Sequence, residues 1–355
     1  MPLPIDTSWD ALPARLRAEN VEIKMLLTTG ELFHLTGPLA GTEGAMITGS
    51  VEGLGEIPGE GVWSETANSA PYFERWVDGK LEIHFNLLLI EDTEFGWAAT
   101  RRRFFDGCVP AEPCWFSVTT RGWGEVWVPV HRAEVNTIFE DDPTANDNNV
   151  SIHELTLAVS GDPRWRRPDF VGMYQHTNGQ KIGQIRVINR GNVPAWPYFI
   201  CEAPGRILLP DGPNAIITPA DAADHTDFPG LLGLFKLGEL LPFGQRRRRE
   251  PKTVIDVTLY TDEHTLIDTD PTHRIAIDSK APVTDGWLEW INNAELLQLL
   301  TGNAGDKAKT VMERLRGQGF RVPIPPRSEA TLQVSHSRPG GRIWCVVPQR
   351  FDHAL

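Results

Sequence analysis

A mainly β chain of two domains is what this sequence predicts, and three observations carry the prediction. Short runs of alternating apolar and polar residues recur along the chain, the pattern of strands with one buried face. They are punctuated by 32 Gly and 28 Pro, about one residue in six, which suits many strands joined by turns better than a helical bundle. The alternation then breaks at Gly161-Asp162-Pro163-Arg164-Trp165-Arg166-Arg167-Pro168, a charged, proline-bearing stretch that divides 355 residues into domains of ordinary size, 1–163 and 164–355.

Element by element, Leu12 and Leu16 share a face in a short helix expected over Asp10 to Glu19. Val21, Ile23 and Met25 then alternate with Glu22 and Lys24, and the turn Thr28-Thr29-Gly30-Glu31 leads into Leu32 to Leu35, the signature of a hairpin. Residues 37–61 are glycine-rich and irregular, with strand-like pieces at Ala45 to Thr48 and Val51 to Leu54. Leu81 to Leu87 alternates cleanly, and Trp97 to Phe105, mixing aromatics with arginines, reads as another extended run. Cys114 to Thr120 and Gly124 to Val130 flank Arg121-Gly122-Trp123 as a second hairpin. The polar stretch Asp141 to Asn149 has little to bury and is expected as a projecting tip before the strand Val150 to Val159.

Nine short extended runs follow the break: Ile182 to Asn189, Pro197 to Glu202, Arg206 to Leu209, Ala215 to Thr218, Thr253 to Tyr260, Thr265 to Asp268, His273 to Ile277, Ala330 to His336 and Arg342 to Val347. Their number and spacing predict a β-sandwich. One helical insertion over 292–318 interrupts it: Asn292 and Glu295 form a capping arrangement for Ala294 to Thr301, and Asp306 opens a second helix, with Val311 and Leu315 facing inward, that stops at Gly317.

Composition narrows the function. With 34 Lys and Arg against 47 Asp and Glu the formal charge is −13, which argues against a protein that grips nucleic acid through its phosphates. Twelve Trp and 15 Phe supply bulk for cores. The amino terminus lacks the basic and apolar regions of a secretory signal, no stretch reaches the roughly 18 apolar residues of a membrane span, and no membrane insertion is expected. Four cysteines (Cys108, Cys114, Cys201, Cys345) without a Cys-x-x-Cys pair read as free thiols, with a Cys108–Cys114 bridge as the alternative.

Chemistry-bearing patterns are weak. Gly49-Ser50-Val51-Glu52-Gly53 has the wrong spacing for a nucleophile elbow, and Gly53 to Gly59 lacks the helix a dinucleotide fingerprint opens. Cys108 with His131 would make a thiol–imidazole pair, but an aromatic-flanked core cysteine is the simpler reading. Asp262, His264, Asp268, Asp270 and His273 form the best acidic cluster, and Asp221, Asp224, His225 and Asp227 a second; both suit turns and solvated loops better than metal. Arg246 to Arg249 and Arg101-Arg102-Arg103 are basic runs fit for surface contacts with acidic partners, and Trp287 with Trp290 are more simply core than a sugar platform. No catalytic, cofactor-binding or metal residue is therefore assigned.

At Asn189-Arg190-Gly191-Asn192-Val193-Pro194-Ala195-Trp196-Pro197-Tyr198-Phe199-Ile200 the sequence resembles distal tail proteins and related minor tail proteins of long, non-contractile-tailed bacteriophages. The likeness continues at Ile267-Asp268-Thr269-Asp270-Pro271 and through Ala330 to His336, Arg342 to Val347 and Pro348-Gln349-Arg350-Phe351, which resemble minor tail proteins of phages of actinobacteria. Ala203-Pro204-Gly205 stands where the family has Gly-Pro-Gly, and Phe228 to Pro251 and Asn292 to Gln318 are insertions against its pattern. The resemblance implies an amino-terminal belt domain that closes a homo-hexameric ring and a carboxy-terminal galectin-like β-sandwich outside it. It implies a virion protein of the tail tip, assembled in the host cytoplasm, that joins the major tail tube protein to the tail hub, with the tape measure protein and other minor tail proteins as further neighbours. No enzymatic activity and no cofactor belong to it, and DNA would pass through the lumen without specific binding. The Asn-x-Gly-Asn and Asp-Thr positions are then turn chemistry: Gly191 allows positive φ, and Asn189, Asn192 and Asp268 can satisfy turn amides. A second function from the same resemblance is a carbohydrate-binding module docking the host envelope, with Trp196, Trp287 and Trp290 as candidate platforms. A cell-wall hydrolase is a third, and needs a nucleophile, metal or carboxylate pair that the sequence does not display.

Overall fold

A computed structural model describes residues 21–66, 69–92, 94–138, 150–177, 179–222, 254–261, 265–271, 276–278, 315 and 319–355. The chain is mainly β with few helices. It divides into two compact units, residues 1–167 with 351–355, and residues 168–350.

The first unit contains β1 (Glu22–Leu26), β2 (Leu32–His34), β3 (Ala45–Glu52), β4 (Gly59–Thr66), β5 (Ser69–Asp78), β6 (Glu82–Leu89), α1 (Trp97–Gly107), β7 (Cys114–Thr120), β8 (Gly124–Ile138) and β9 (Ser151–Val159). Antiparallel pairing runs β2-β1-β7-β8-β9-β6-β3. The Ile47 N–H donates to the Leu35 carbonyl at 2.8 Å and draws the two ends of that path together, so the sheet curls toward a closed barrel. Period-2 alternation sends one face inward: Ile83, Phe85, Leu87 and Leu89 of β6, Phe116 and Val118 of β7, and Leu155 and Leu157 of β9 are buried in one core with Phe104 of α1 and with Phe351 and Ala354 from the carboxy terminus. The predicted strands Ala45 to Thr48 and Val51 to Leu54 form a single strand, β3, with a register shift between Thr48 and Val51.

Two sequence expectations change here. Trp97 to Phe105 is helical, not extended: α1 buries Thr100, Phe104 and Gly107, a helical stripe whose two small members hide it in a hydrophobicity profile. Residues 59–78, for which the sequence predicts no paired strands, form the β4–β5 hairpin, a two-stranded sheet of its own.

β10 (Trp165–Gln175) begins in the first unit and continues in the second, across the stretch whose prolines and charges disguise it. The second unit continues with β11 (Ile182–Asn189), β12 (Tyr198–Cys201), β13 (Gly205–Pro210), α2 (Pro219–Ala222), β14 (Val254–Leu259), β15 (Thr265–Asp268), β16 (Ala276–Asp278), β17 (Ser328–His336) and β18 (Arg342–Phe351). One antiparallel set runs β16-β15-β12-β18 and another β11-β17-β13-β14. Ile185, Val187, Leu209, Val257 and Val334 from the second set and Phe199, Cys201, Ile267, Ile343 and Val347 from the first share one core, the arrangement of a sandwich.

Ala215 to Thr218 is a loop and not a strand. Ala215 and Ile217 are buried as the alternation requires, but the Ile217 N–H goes to the Gln333 side chain at 2.8 Å, so no ladder forms. The helix expected over Asp10 to Glu19 and the tip at Asp141 to Asn149 lie outside the described residues. Of the insertion 292–318 only Leu315 is described; it is helical and buried in the sandwich core. Among the described residues no helix is long and apolar enough to cross a membrane.

Candidate functional site

The residues that carry the sequence resemblance converge on one corner of the second unit. Asn189, at the end of β11, is 1% exposed; its Nδ2 donates to the carbonyls of Val193 (2.9 Å), Ile324 (3.2 Å) and Pro325 (3.0 Å), and its Oδ1 accepts from the Gly191 N–H at 2.9 Å. Both ends of the amide are thus used, which is what lets a polar group sit in a core. Gly191 does not use the positive φ that glycine allows. A Cβ there would lie 2.3 Å from the Arg350 carbonyl oxygen, so glycine is required by the close approach of another backbone. The Asn192 N–H donates to that same Arg350 carbonyl at 3.1 Å, and Gln349 of β18 accepts from the Arg190 N–H at 2.6 Å while donating to the Ile188 and Val347 carbonyls at 2.9 and 2.8 Å.

A second turn is built beside β15. The Asp268 Oδ1 accepts from the Asp270 N–H at 2.9 Å, and the Thr269 hydroxyl donates to the Pro197 carbonyl at 2.5 Å, an Asx-type closure. Tyr198 donates to Asp169 at 2.7 Å; burial pushes its phenol well above its ordinary pKa, and the Asp169 charge adds to this.

Other singled-out residues separate. Among the described residues no cluster of His, Cys, Asp and Glu could hold a metal ion. Asp262, His264, His273, Asp224, His225, Asp227, Arg246 to Arg249, Trp287 and Trp290 lie outside them. Trp196, a proposed sugar platform, is half-buried against the sandwich core. All four cysteines are free and buried. Hydrogen bonding with Cys114 and burial both push the Cys108 thiol up, and His131 is occupied by the Pro110 carbonyl at 3.0 Å, so no thiol–imidazole pair forms.

The arginine run of α1 splits by face. Arg103 bonds Asp92 at 2.8 Å and Glu31 at 3.1 Å and stacks over Phe95 at 4.4 Å. Arg101 and Arg102 instead line a groove of about 720 Å³ between α1 and the outer half of β8, with Trp97, Phe105, Arg132 and Val135. Arg101 and Arg132 each place a guanidinium 5.5 Å from the Phe105 ring centroid.

The β4–β5 hairpin is the other unabsorbed surface. Trp63, Tyr72, Phe73 and Trp76 are 50 to 59% exposed, and every residue from Pro71 to Asp78 is exposed. Trp63 and Phe73 meet edge to face at 5.4 Å, and the Trp76 ring covers Gly59, where a Cβ would fall 2.5 Å from its Nε1. No pattern of alternation could have revealed these residues, because aromatics occupy both faces of β5.

No family model matches the chain, and no curated protein matches it. Among solved structures, the SPP1 Dit protein, described as a paradigm of the hub adsorption apparatus of phages infecting Gram-positive bacteria, is 11% identical with a TM-score of 0.49, over 93% of this chain and 99% of that one. A chain of the phage P2 baseplate in its activated conformation is 9% identical with a TM-score of 0.43, over 94% of this chain and 99% of that one. A tail chain of an empty GTA particle covers 42% of this chain and 96% of its own at 17% identity and a TM-score of 0.25.

Proposed function

We propose that this chain is a structural virion protein of a phage tail tip, of the distal tail or minor tail type, whose amino-terminal domain (1–163) forms a six-membered ring joining tail tube to tail hub and whose carboxy-terminal domain (164–355) is a galectin-like sandwich. One observation carries the reading. The pieces of sequence that resemble that family, Asn189 to Asn192 and Pro348 to Arg350, are about 160 residues apart, yet meet backbone to backbone at Gly191 and Arg350. A chance likeness of short motifs gives no reason for the distant halves to form one hydrogen-bonded corner. The fates of the chemistry-bearing residues support a structural role: Asn189, Asp268 and Thr269 close turns, and Cys201 and Cys345 fill the sandwich core. Each ring contact would be heterologous, one patch against a different one on the neighbour, so that rotation closes it.

Mass spectrometry of purified tails, followed by electron cryo-microscopy of the tip, tests the proposal. The chain is expected in tails, in one layer of six subunits between tube and hub. Its absence from purified tails overturns the reading, and a layer count other than six overturns the ring.

A further inference from the structure

Each unit of the chain buries two of the four free thiols, and the two pairs are placed differently. The pair in the second unit is held apart by its sheet. Cys201 faces Ile343 and Cys345 faces Phe199 in the β12–β18 register, so the cysteines are diagonal neighbours on regular strands. Diagonal positions of an antiparallel pair stand about 7–8 Å apart, past the roughly 4.4–6.8 Å between α-carbons that a disulfide spans.

The pair in the first unit has no such restraint. Cys108 is the residue at which α1 ends and Cys114 the residue at which β7 begins, joined by Val109-Pro110-Ala111-Glu112-Pro113. Both are fully buried in the barrel core. A Cβ on Gly107 would lie 2.8 Å from Leu27, so the end of α1 is seated against the chain that follows β1. There the Cys114 Sγ donates to the Gly107 carbonyl at 3.2 Å, and the two thiols hydrogen-bond to each other. The same carbonyl accepts from the Thr28 N–H at 3.0 Å and the Thr28 hydroxyl at 2.9 Å, so loss of the Cys114 proton strands no acceptor.

The surroundings also divide the roles of the two sulfurs. Hydrogen bonding from Cys108 draws the Cys114 thiol below its ordinary pKa against the opposing effect of burial, and the Thr28 backbone and the Arg132 charge add to the lowering. Cys108 is pushed the other way by its bond to Cys114 and by burial. Cys114 is thus the nucleophile of the pair and Cys108 the partner that resolves it.

We infer that Cys108 and Cys114 form a redox-active dithiol, a modification site at which a peroxide closes a disulfide between the end of α1 and the start of β7. The Cys114 sulfur attacks one peroxide oxygen, the O–O bond breaks, and the departing hydroxide takes up the Cys114 proton as water, leaving a sulfenic acid. The Cys108 sulfur then attacks the Cys114 sulfur, the S–O bond breaks, and a second water leaves with the Cys108 proton. Two thiols lose two electrons, and one peroxide becomes two waters. A small oxidant suits the site because burial keeps bulkier disulfides from the sulfurs. The product fixes the loop whose Pro110 walls the α1–β8 groove and holds His131 through its carbonyl at 3.0 Å. Such a staple suits a chain built in reducing surroundings and used outside them. The chemistry belongs to the barrel alone and stands or falls apart from the tail-tip reading.

The full chain, reduced and then treated with hydrogen peroxide, tests this by mass spectrometry after alkylation in denaturant. Tryptic cleavage after Arg103 and Arg121 releases Cys108 and Cys114 on one peptide, with Cys201 and Cys345 on others. That peptide is expected to lose the mass of two hydrogen atoms and to take no label until it is reduced, while Cys201 and Cys345 stay labelled. The oxidised chain should melt about 5 °C higher, as closing a short loop in the unfolded chain requires, and return on reduction. In Cys108→Ala, Cys114 lacks its resolving partner and should run on to sulfinic and sulfonic acid, whereas Cys108 in Cys114→Ala should resist the same dose. Cys108 and Cys114 that both remain labelled, bridges between chains, or equal closure of Cys201 with Cys345 overturns the inference. A disulfide that leaves the melting temperature unmoved overturns its role as a staple, and equal reactivity of the single variants overturns the assignment of the nucleophile. Labelling of the native chain needs no substitution, so a variant that fails to fold leaves the test intact.

Discussion

Asn189 hydrogen-bonds three carbonyls and one N–H from a position 1% exposed, so replacing it strands several backbone groups at once. Asn189→Ala is expected to cost about 3 kcal/mol of stability in urea unfolding. Asn189→Asp is nearly isosteric but aims a carboxylate at carbonyl oxygens, so it should cost at least as much; a tolerated Asp would refute this account of the corner. The motif is legible in sequence as turn chemistry, but the reason for its glycine is not, because a contact 2.3 Å from Arg350 depends on a strand about 160 residues away. His153 gives a pH prediction. Its ring is fully buried between Ser151 (2.8 Å) and Thr137 (3.0 Å), and burial, with the Arg101 charge adding, lowers its pKa to about 4. The unfolded chain takes up that proton near pH 6.5 and the folded chain does not, so stability falls as pH drops from about 6.5 to 4, by up to about 3 kcal/mol. His153→Gln should flatten the acid limb of a stability–pH curve over that window, and an unchanged slope would assign the titration elsewhere.

At the scale of elements, the β4–β5 hairpin is separable from the unit that bears it. None of its residues belongs to the core built around Phe85, Phe116 and Leu157, and the chain enters and leaves through a 2.6 Å bond from the Gly79 N–H to the Pro58 carbonyl. Replacing residues 59–78 by a two-glycine link should therefore leave the melting temperature within about 4 °C of the native value; a larger fall would mean that the hairpin stabilises the barrel. The same independence explains why the sequence conceals it. Period-2 reading finds strands by the contrast between a buried and a solvated face, which is strong in β6, β7, β9 and β11 and absent in β5, whose faces are both exposed. α1 is hidden for the converse reason: its inward stripe is Thr100, Phe104 and Gly107, and only one of the three looks apolar. β10 is hidden by Arg166, Arg167 and Pro168, although Trp165 at its start is fully buried. The groove is invisible for a further reason: its Arg101 and Arg132 belong to a helix and a strand that only the fold brings over one ring.

Over the whole molecule the charge of −13 is the property that depends on the proposed assembly. A ring multiplies it sixfold, and the share facing a central channel would act on DNA at close range, where a Debye length of about 8 Å at physiological ionic strength screens least. A conduit that held phosphates would stall the genome it conducts, since each neutralised phosphate adds to affinity through counterion release. The lumen of the assembled ring is accordingly expected to be net acidic, and the full chain to leave a DNA duplex unbound in fluorescence anisotropy even at about 50 mM salt, where phosphate contacts are strong. Binding that weakens steeply as salt rises would expose a cationic surface aimed at DNA and reverse the prediction. Insensitivity to salt together with no binding would fit arginines already committed to protein, as Arg103 is to Asp92 and Glu31.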